Sequence, residues 1–179
     1  MKVLGFAASN SSKSINKALV RHALDVLKAE VLPGAETRLI DLNDYEMPIY
    51  SADRQEANGI PDLAHQFLND IESVDAVIIS FAEHNGSYSV AFKNVFDWAS
   101  RENRKVYQQK KLVLLSTAPG GAGGRHVLAK AASAAPHCGG EVMGTLSVPR
   151  FGTNFDRESG RLTDPELQTA LRKVLAKLK

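Results

Sequence analysis

Three nearly continuous apolar runs of strand length place the tightest limit on how this chain can fold. They are KVLGFAA from Lys2, AVIISFA from Ala76 and KLVLLSTA from Lys111. Strands that are apolar at almost every position, rather than at alternate positions, are typical of parallel sheets covered on both faces. The three runs therefore predict the central strands of a parallel sheet.

Two weaker runs extend this sheet. The segment between Ala35 and Leu42 contains ETRLIDL, in which Arg38 and Asp41 interrupt the apolar residues, as is common in an edge strand. The other run is EVMGTLSV, which begins at Glu141. Together the five runs predict a five-stranded sheet.

Segments with helical periodicity separate the predicted strands. They are SINKALVRHALDVLKAEV, which Pro33 and Gly34 close, Ile60–Ile71, a stripe from Phe92 to Ala99, the Ala-rich segment Gly124–Ala135, and a last segment after TDPE. In that last segment Thr163 and Glu166 have capping-box spacing, and Pro165 lies in the first turn. Regular alternation of strands and helices predicts a single α/β domain over residues 1–179, with helices on both faces of a doubly wound sheet.

Composition and charge exclude several classes of protein. The chain is 44% apolar and 23% charged, a balance typical of soluble globular proteins, and no apolar run approaches the roughly 20 residues that span a bilayer. A net charge of +2 does not favour nucleic-acid binding, and we expect the basic segment Arg101–Lys111 to be a solvated loop. The single cysteine, Cys138, agrees with a cytoplasmic protein and is expected to be structural.

In a doubly wound sheet, ligands bind beyond the carboxyl ends of the strands, where the winding direction reverses. The loop after the first strand, ASNSSKSIN from Ala8 to Asn16, holds serines, asparagines and one lysine but no carboxylate, and it opens a helix. Free N–H groups at a helix start favour an anion, so a phosphate monoester fits this loop. The alternative is that Ser14 only caps the helix while the other hydroxyls face water. The spacing matches neither a Walker A loop nor a Gly-x-Gly-x-x-Gly turn.

Two further loops at the same edge have the character of a site for a planar ligand. AEHNGSY, from Ala82 to Tyr88, offers backbone amides near Gly86 and two flat side chains, His84 and Tyr88. STAPGGAGGR, from Ser116 to Arg125, is rich in glycine, which suggests close approach of the backbone to a ring system.

At these residues the chain resembles the NADPH-dependent FMN reductase family of flavodoxin-like proteins. The family's phosphate loop is matched by Ala8, Ser9, Ser14 and Asn16; its second loop and the following helix by Glu83, Asn85, Lys93, Asn94, Asp97 and Trp98; its glycine-rich loop by Ser116, Gly120, Gly123 and Gly124. There are two departures. Ser11 stands where the family has a phosphate-binding Arg, and Ala82 and His84 replace a Pro and a Tyr.

The resemblance implies a flavodoxin-like α/β/α fold with strand order 2-1-3-4-5. It also implies that hydride passes from NADPH or NADH through bound FMN to a quinone, azo compound, flavin or similar small acceptor. The flavin supplies the chemistry, so no catalytic side chain is expected, and the five histidines lack zinc-ligand spacing. The residues carried over or adjoining these motifs as cofactor-binding are Ser9, Ser11, Lys13, Ser14, Ile15, Asn16, Glu83, His84, Asn85, Gly86, Ser116 and Gly120.

Two other functions remain open from the sequence. A flavodoxin-type electron carrier would share the fold, although such carriers are usually strongly acidic and this chain is slightly basic. A domain that has lost its cofactor would share it too, and the missing Arg is the feature that favours this alternative.

The resemblance also implies a homodimer or homotetramer. The connection from Asn43 to Gly59 is long, and its Tyr45, Met47, Ile49 and Tyr50 are expected to be exposed and to pack on a second subunit. The alternative is a surface loop that packs on its own chain.

Overall fold

The computed structural model describes residues 1–179 and contains the predicted sheet. Five parallel strands are hydrogen-bonded in the order β2-β1-β3-β4-β5, which confirms the predicted flavodoxin-like order. Their bounds are β1 Lys2–Ala8, β2 Glu36–Ile40, β3 Ala76–Phe81, β4 Lys110–Thr117 and β5 Gly140–Val148. β2 is an edge strand, as predicted, and β5 forms the other edge.

Seven α-helices accompany the strands. Their bounds are α1 Ile15–Val26, α2 Ala52–Asn58, α3 Asp62–Glu72, α4 Val90–Glu102, α5 Arg125–Ala134, α6 Phe151–Asn154 and α7 Pro165–Ala176. A short antiparallel hairpin, β6 Phe155–Asp156 and β7 Arg161–Leu162, joins α6 to α7. Helices lie on both faces of the sheet, so the predicted layer arrangement is confirmed.

Each face of the sheet has its own apolar core. On one face, Phe6, Phe67 and Phe92 pack with residues of α3, α4 and α5. On the other, Leu19 and Leu171 lie in a cluster formed mainly by α1 and α7. β3 is buried along its whole length, which explains why its sequence is apolar without alternation.

The connection from Asn43 to Gly59 differs from the prediction. Tyr45 and Met47 are buried against the α3 and α4 face, and Tyr50 is half-buried with its ring edge on Trp98. Only Ile49 of the four named residues is exposed. Part of the segment is helical, because Ser51 caps α2 by accepting the backbone N–H of Arg54 at 3.2 Å. The segment packs mainly on its own chain.

Two smaller predictions were also wrong. The last helix is capped by Asp164, whose Oδ1 accepts the backbone N–H groups of Glu166 and Leu167 at 2.8 and 2.9 Å, and not by Thr163. The segment Arg101–Lys111 is not a solvated loop throughout, because Val106 and Tyr107 are buried in the core. The β6–β7 hairpin was not predicted from the sequence.

Candidate functional site

The carboxyl ends of β1, β3 and β4 frame a groove of about 220 Å³, which we call the strand-end groove. It brings together eight of the predicted residues, which are Ser9, Ser11, Lys13, Ser14, Ile15, Asn16, Glu83 and His84. Ala82, Thr117, Ala118 and Pro119 complete its lining. These four lie in the two loops predicted to border a planar ligand, at the ends of β3 and β4, but they were not singled out as cofactor-binding residues.

The turn between β1 and α1 is rich in free hydrogen-bond donors. The backbone N–H groups of Lys13, Ile15 and Asn16 have no acceptor within the chain. The Lys13 ammonium forms no ion pair, and none of the residues that line the groove on this turn is acidic. Bare amides at a helix start beside a free cation fit a phosphate dianion.

Ser14 and Lys17 hold this turn in place and are less available to a ligand. The Ser14 Oγ caps α1 by accepting the backbone N–H of Lys17 at 3.2 Å. The Lys17 ammonium pairs with the carboxylate of Asp41 at the end of β2. Burial alone would raise the pKa of Asp41, but the hydrogen bonds from Lys17 and Asn43 outweigh it, and the pKa lies below its usual value. Lys17 therefore already has its counter-ion.

The side chain of Asn16 makes three hydrogen bonds within the protein. Its Oδ1 accepts the Ser80 hydroxyl at 2.7 Å and the backbone N–H of Thr117 at 3.0 Å. Its Nδ2 donates to the Thr117 carbonyl at 3.2 Å. Asn16 thus ties the start of α1 to β3 and β4, and its backbone N–H is left for a ligand.

Glu83 has a similar structural duty. Its Oε2 accepts the backbone N–H groups of His126 and Val127, both at 2.9 Å, in the first turn of α5. The N-cap residue of α5 is Gly124, which has no side chain to do this. The carboxylate of Glu83 therefore caps α5. The atoms of Glu83 other than Oε2 remain available to contact a ligand in the groove.

Asn85 and Gly86 form a tight turn at the rim of the strand-end groove. Both have positive φ, 52° and 73°, and His84 and Ser87 exchange two backbone hydrogen bonds of 3.0 Å across them. The backbone N–H groups of Asn85 and Gly86 have no acceptor within the chain. Neither residue lines the groove itself, but the turn carries two exposed donors next to His84, which does.

The glycine-rich loop is explained largely by packing. A Cβ on Gly123 would lie 2.4 Å from the Ser147 Oγ and 2.9 Å from the Pro149 nitrogen, and Gly124 has φ of 77° against Ser116. The buried Ser116 donates its hydroxyl to the Gly123 carbonyl at 2.8 Å and does not line the groove. Packing therefore accounts for Gly123 and Gly124, and close approach of their backbone to a ligand stays a prediction.

Gly120 lies farther out on the same loop. It is exposed, with open space where a Cβ would lie, and its carbonyl accepts the backbone N–H groups of Gly123 and Arg150. It is outside the lining of the strand-end groove.

His84 separates the strand-end groove from a second cavity of about 260 Å³. This neighbouring cavity is lined by Tyr45, Met47, Ile49 and Val90 among others. Ile49 and Val90 are 65% and 68% exposed, which is unusual for aliphatic side chains. A flat ligand in the groove would thus border an apolar, open face.

Cys138 lies away from the strand-end groove. The thiol is half-buried beside the α4 and α5 core, and burial raises its pKa above the usual value. A raised pKa keeps a cysteine in its unreactive thiol form at neutral pH. No cluster of three or more histidine, cysteine or acidic residues is placed to hold a metal ion. None of the helices combines the length and apolarity needed to cross a membrane.

Comparisons with known proteins agree with this geometry. The family model for NADPH-dependent FMN reductases matches residues 1–152. The NADPH:quinone oxidoreductase of Arabidopsis thaliana is 29% identical over 99% of this chain and 90% of its own length. The NAD(P)H-dependent FMN reductase of Pseudomonas aeruginosa is 32% identical over 67% of this chain and 61% of its own.

Among solved structures, the flavoenzyme NAD(P)H:(acceptor) oxidoreductase FerB of Paracoccus denitrificans superposes with a TM-score of 0.78 at 24% identity, covering 99% of this chain and 94% of that one. At this identity the likeness supports the fold. The family model covers far more than half of the chain, and the groove has the donors that a flavin phosphate requires. The chain therefore belongs to the NADPH-dependent FMN reductase family and is an FMN-dependent NAD(P)H oxidoreductase.

Proposed function

We propose that this enzyme passes electrons from NAD(P)H to a quinone or another small planar acceptor, with FMN held in the strand-end groove. The observation that carries the proposal is the groove itself, in which a donor-rich turn without carboxylates lies beside the ends of β3 and β4. The quinone reductases among its relatives support the choice of acceptor. The proposal treats residues 1–179 as one FMN-binding domain.

The residues suit the two ends of FMN differently. The phosphate would bind the free N–H groups and hydroxyls between Ser9 and Asn16, with Lys13 as the nearby cation. The ring would lie along Ala82–His84 and Thr117–Pro119, near the free amides of Asn85 and Gly86. Ser116 would act indirectly, by fixing the glycine-rich loop through its hydrogen bond to the Gly123 carbonyl, and Gly120 lies farther out on that loop. FMN supplies the hydride chemistry when bound.

Ser11 sets the expected strength of this site. It is exposed on the turn and has a hydroxyl where the family's motif has a guanidinium. A bidentate charged donor is stronger than a neutral hydroxyl, so we expect weaker FMN binding than in relatives that keep the Arg. Ser11→Arg should strengthen FMN binding, as measured by quenching of flavin fluorescence.

The test begins with purified protein. After reconstitution with FMN and removal of the excess, we expect a yellow protein that oxidises NADPH when a benzoquinone is added, and that reduces the quinone faster than an azo dye or free flavin. A protein that stays colourless with excess FMN would refute the site. A yellow protein that does not oxidise NADPH or NADH would instead be an electron carrier.

Two matched glycine variants locate the ring. Gly86 and Gly59 both have positive φ, 73° and 75°, and both have open space where a Cβ would lie. Gly86→Val and Gly59→Val therefore both place a β-branched residue at positive φ, and Gly59→Val is a stringent control, because a ψ of −167° puts Gly59 in a region that only glycine adopts readily. Only Gly86→Val should weaken FMN binding, because Gly59 follows α2, away from the groove. Equal effects of the two variants would place the ring elsewhere.

We further propose a cytoplasmic homodimer or homotetramer. Tyr45 and Met47 are buried within the chain and cannot form the contact. The exposed Ile49 and Val90, which line the same cavity as His84, would form it. Burial of both aliphatic side chains against a second copy would remove apolar area from water. Sedimentation should detect an oligomer for the native protein and a shift towards monomer for Ile49→Asp with Val90→Asp. A native monomer would refute assembly.

A further inference from the structure

A cavity of about 530 Å³ lies outside the strand-end groove. It is bounded by the first turns of α1 and by the β6–β7 hairpin, and we call it the basic cleft. The basic cleft and the strand-end groove share Lys13, Ser14 and Ile15, so the two adjoin at the turn between β1 and α1.

The lining of the basic cleft is cationic. Lys13, Arg21 and Arg157 are exposed into it and form no ion pair within the chain, whereas Lys17 is paired with Asp41. Glu158 is the only carboxylate among the lining residues. Three free cations against one carboxylate exceed what the single phosphate of FMN requires, so the cleft attracts a second anionic group.

The hairpin that carries Arg157 is held firmly. Asp156 accepts the backbone N–H groups of Glu158 and Ser159 at 3.0 and 3.2 Å, which fixes the turn. The Arg157 guanidinium lies over the Phe151 ring, 5.5 Å from its centre. An arginine positioned in this way loses little conformational entropy when it binds a phosphate with two hydrogen bonds.

We propose that the basic cleft binds the adenosine half of NADPH, with Arg21 and Arg157 contacting its 2′-phosphate. The volume is in the range of pockets that hold nucleotide-sized ligands, and the strand-end groove is too small to hold a flavin and a dinucleotide together. A dinucleotide whose nicotinamide contacts the flavin must place its anionic adenosine half outside the groove. The basic cleft is the cationic surface that adjoins the groove. This inference rests on the proposed FMN site.

The binding test uses adenosine 2′,5′-bisphosphate and adenosine 5′-monophosphate in calorimetric titrations of the FMN-loaded protein. We expect the bisphosphate to bind at least tenfold more tightly than the monophosphate. Arg21→Gln and Arg157→Gln should each weaken the bisphosphate roughly tenfold, as expected for loss of one charge-assisted hydrogen bond. The matched control is Arg161→Gln on the same hairpin, because Arg161 lines a different cavity and should leave binding unchanged.

Steady-state kinetics give an independent measurement. In the Arg21→Gln with Arg157→Gln variant, the KM for NADPH should rise at least tenfold while the KM for NADH and both kcat values change less than about twofold. Equal bisphosphate affinity in the native and double-variant proteins, or equal effects on NADPH and NADH, would overturn the proposal.

Failure of this inference differs from failure of the FMN site. A yellow protein that oxidises NADPH but does not bind the bisphosphate refutes only the cleft. A protein that never binds FMN refutes the strand-end groove, and bisphosphate binding by that FMN-free protein, sensitive to Arg21→Gln and Arg157→Gln, would still support an adenosine site in the cleft.

Discussion

Replacement of Asn16 by alanine should destabilise the protein before any cofactor is considered. The variant loses three hydrogen bonds that join α1 to β3 and β4. At about 1 kcal/mol each these amount to roughly 3 kcal/mol. The Ser80 hydroxyl and the Thr117 N–H are also left without partners at positions that are 0% and 1% exposed, which adds to the loss. We expect the free energy of unfolding to fall by about 3–5 kcal/mol.

The measurement is urea unfolding of the FMN-free protein, followed by far-UV circular dichroism. The midpoint should move to lower urea while the slope m stays constant, since the unfolded state exposes the same surface. Asn10→Ala is the matched control, because Asn10 is an exposed residue of the same turn. Its effect should stay within about 0.5 kcal/mol.

A second variant checks the mechanism. Asn16→Ala leaves the buried Ser80 hydroxyl without a partner, and this hydroxyl is absent when Ser80→Ala is added. The losses of unfolding free energy in Asn16→Ala alone and in Ser80→Ala alone should therefore sum to more than the loss in the double variant. The reasoning is refuted if Asn16→Ala costs less than about 0.5 kcal/mol in the FMN-free protein while FMN affinity falls, because Asn16 would then be a ligand of the cofactor rather than a link between strands.

Three further predictions concern stability. Glu83→Ala should lower the free energy of unfolding by about 1–2 kcal/mol through loss of the α5 cap. Glu83→Gln should cost less, and equal losses for the two variants in urea unfolding would contradict a capping role. Gly123→Ala should cost about 2–4 kcal/mol, because its Cβ would lie 2.9 Å from the backbone nitrogen of Pro149 and its φ is 61°. Gly120→Ala on the same loop has open space, and similar melting temperatures for the two variants would refute this. Burial lowers the pKa of folded-state His22 from 6.5, although Asp25 opposes the shift. The contribution of His22 to the free energy of unfolding should therefore be complete above pH 6.5 and be lost as the pH falls through the lower pKa of the folded state. His22→Gln should remove this pH dependence, as measured by urea unfolding at several pH values.

The strands and the edge of the sheet that holds the site could be predicted because their signals are local. A buried parallel strand such as β3 must be apolar at nearly every position, and topology alone then assigns the ligand to the strand ends. The assignment of a phosphate to the turn between β1 and α1 follows from the same logic and stays a prediction. These features need no knowledge of distant contacts.

The roles of single polar side chains could not be predicted in this way. Asn16 meets Thr117 across 101 residues of sequence, and Glu83 meets α5 across more than 40. Both residues match the family's motif, but the motif does not distinguish a side chain that binds a ligand from one that stabilises the fold. Tyr45 and Met47 were misjudged for a related reason, since a long connection without periodicity does not reveal which core it covers. The β6–β7 hairpin has strands of two residues, which are too short to show alternation.

The carboxylate of Glu83 has a consequence for the direction in which a cofactor enters. Two helices, α1 and α5, start close to the same groove, and either would attract a dianion if its first amides were bare. One of them already carries a resident negative charge supplied by the chain. In the proposed site, the flavin phosphate would therefore meet one helix start with free amides, and repulsion from Glu83 would favour the same orientation of FMN as attraction to α1.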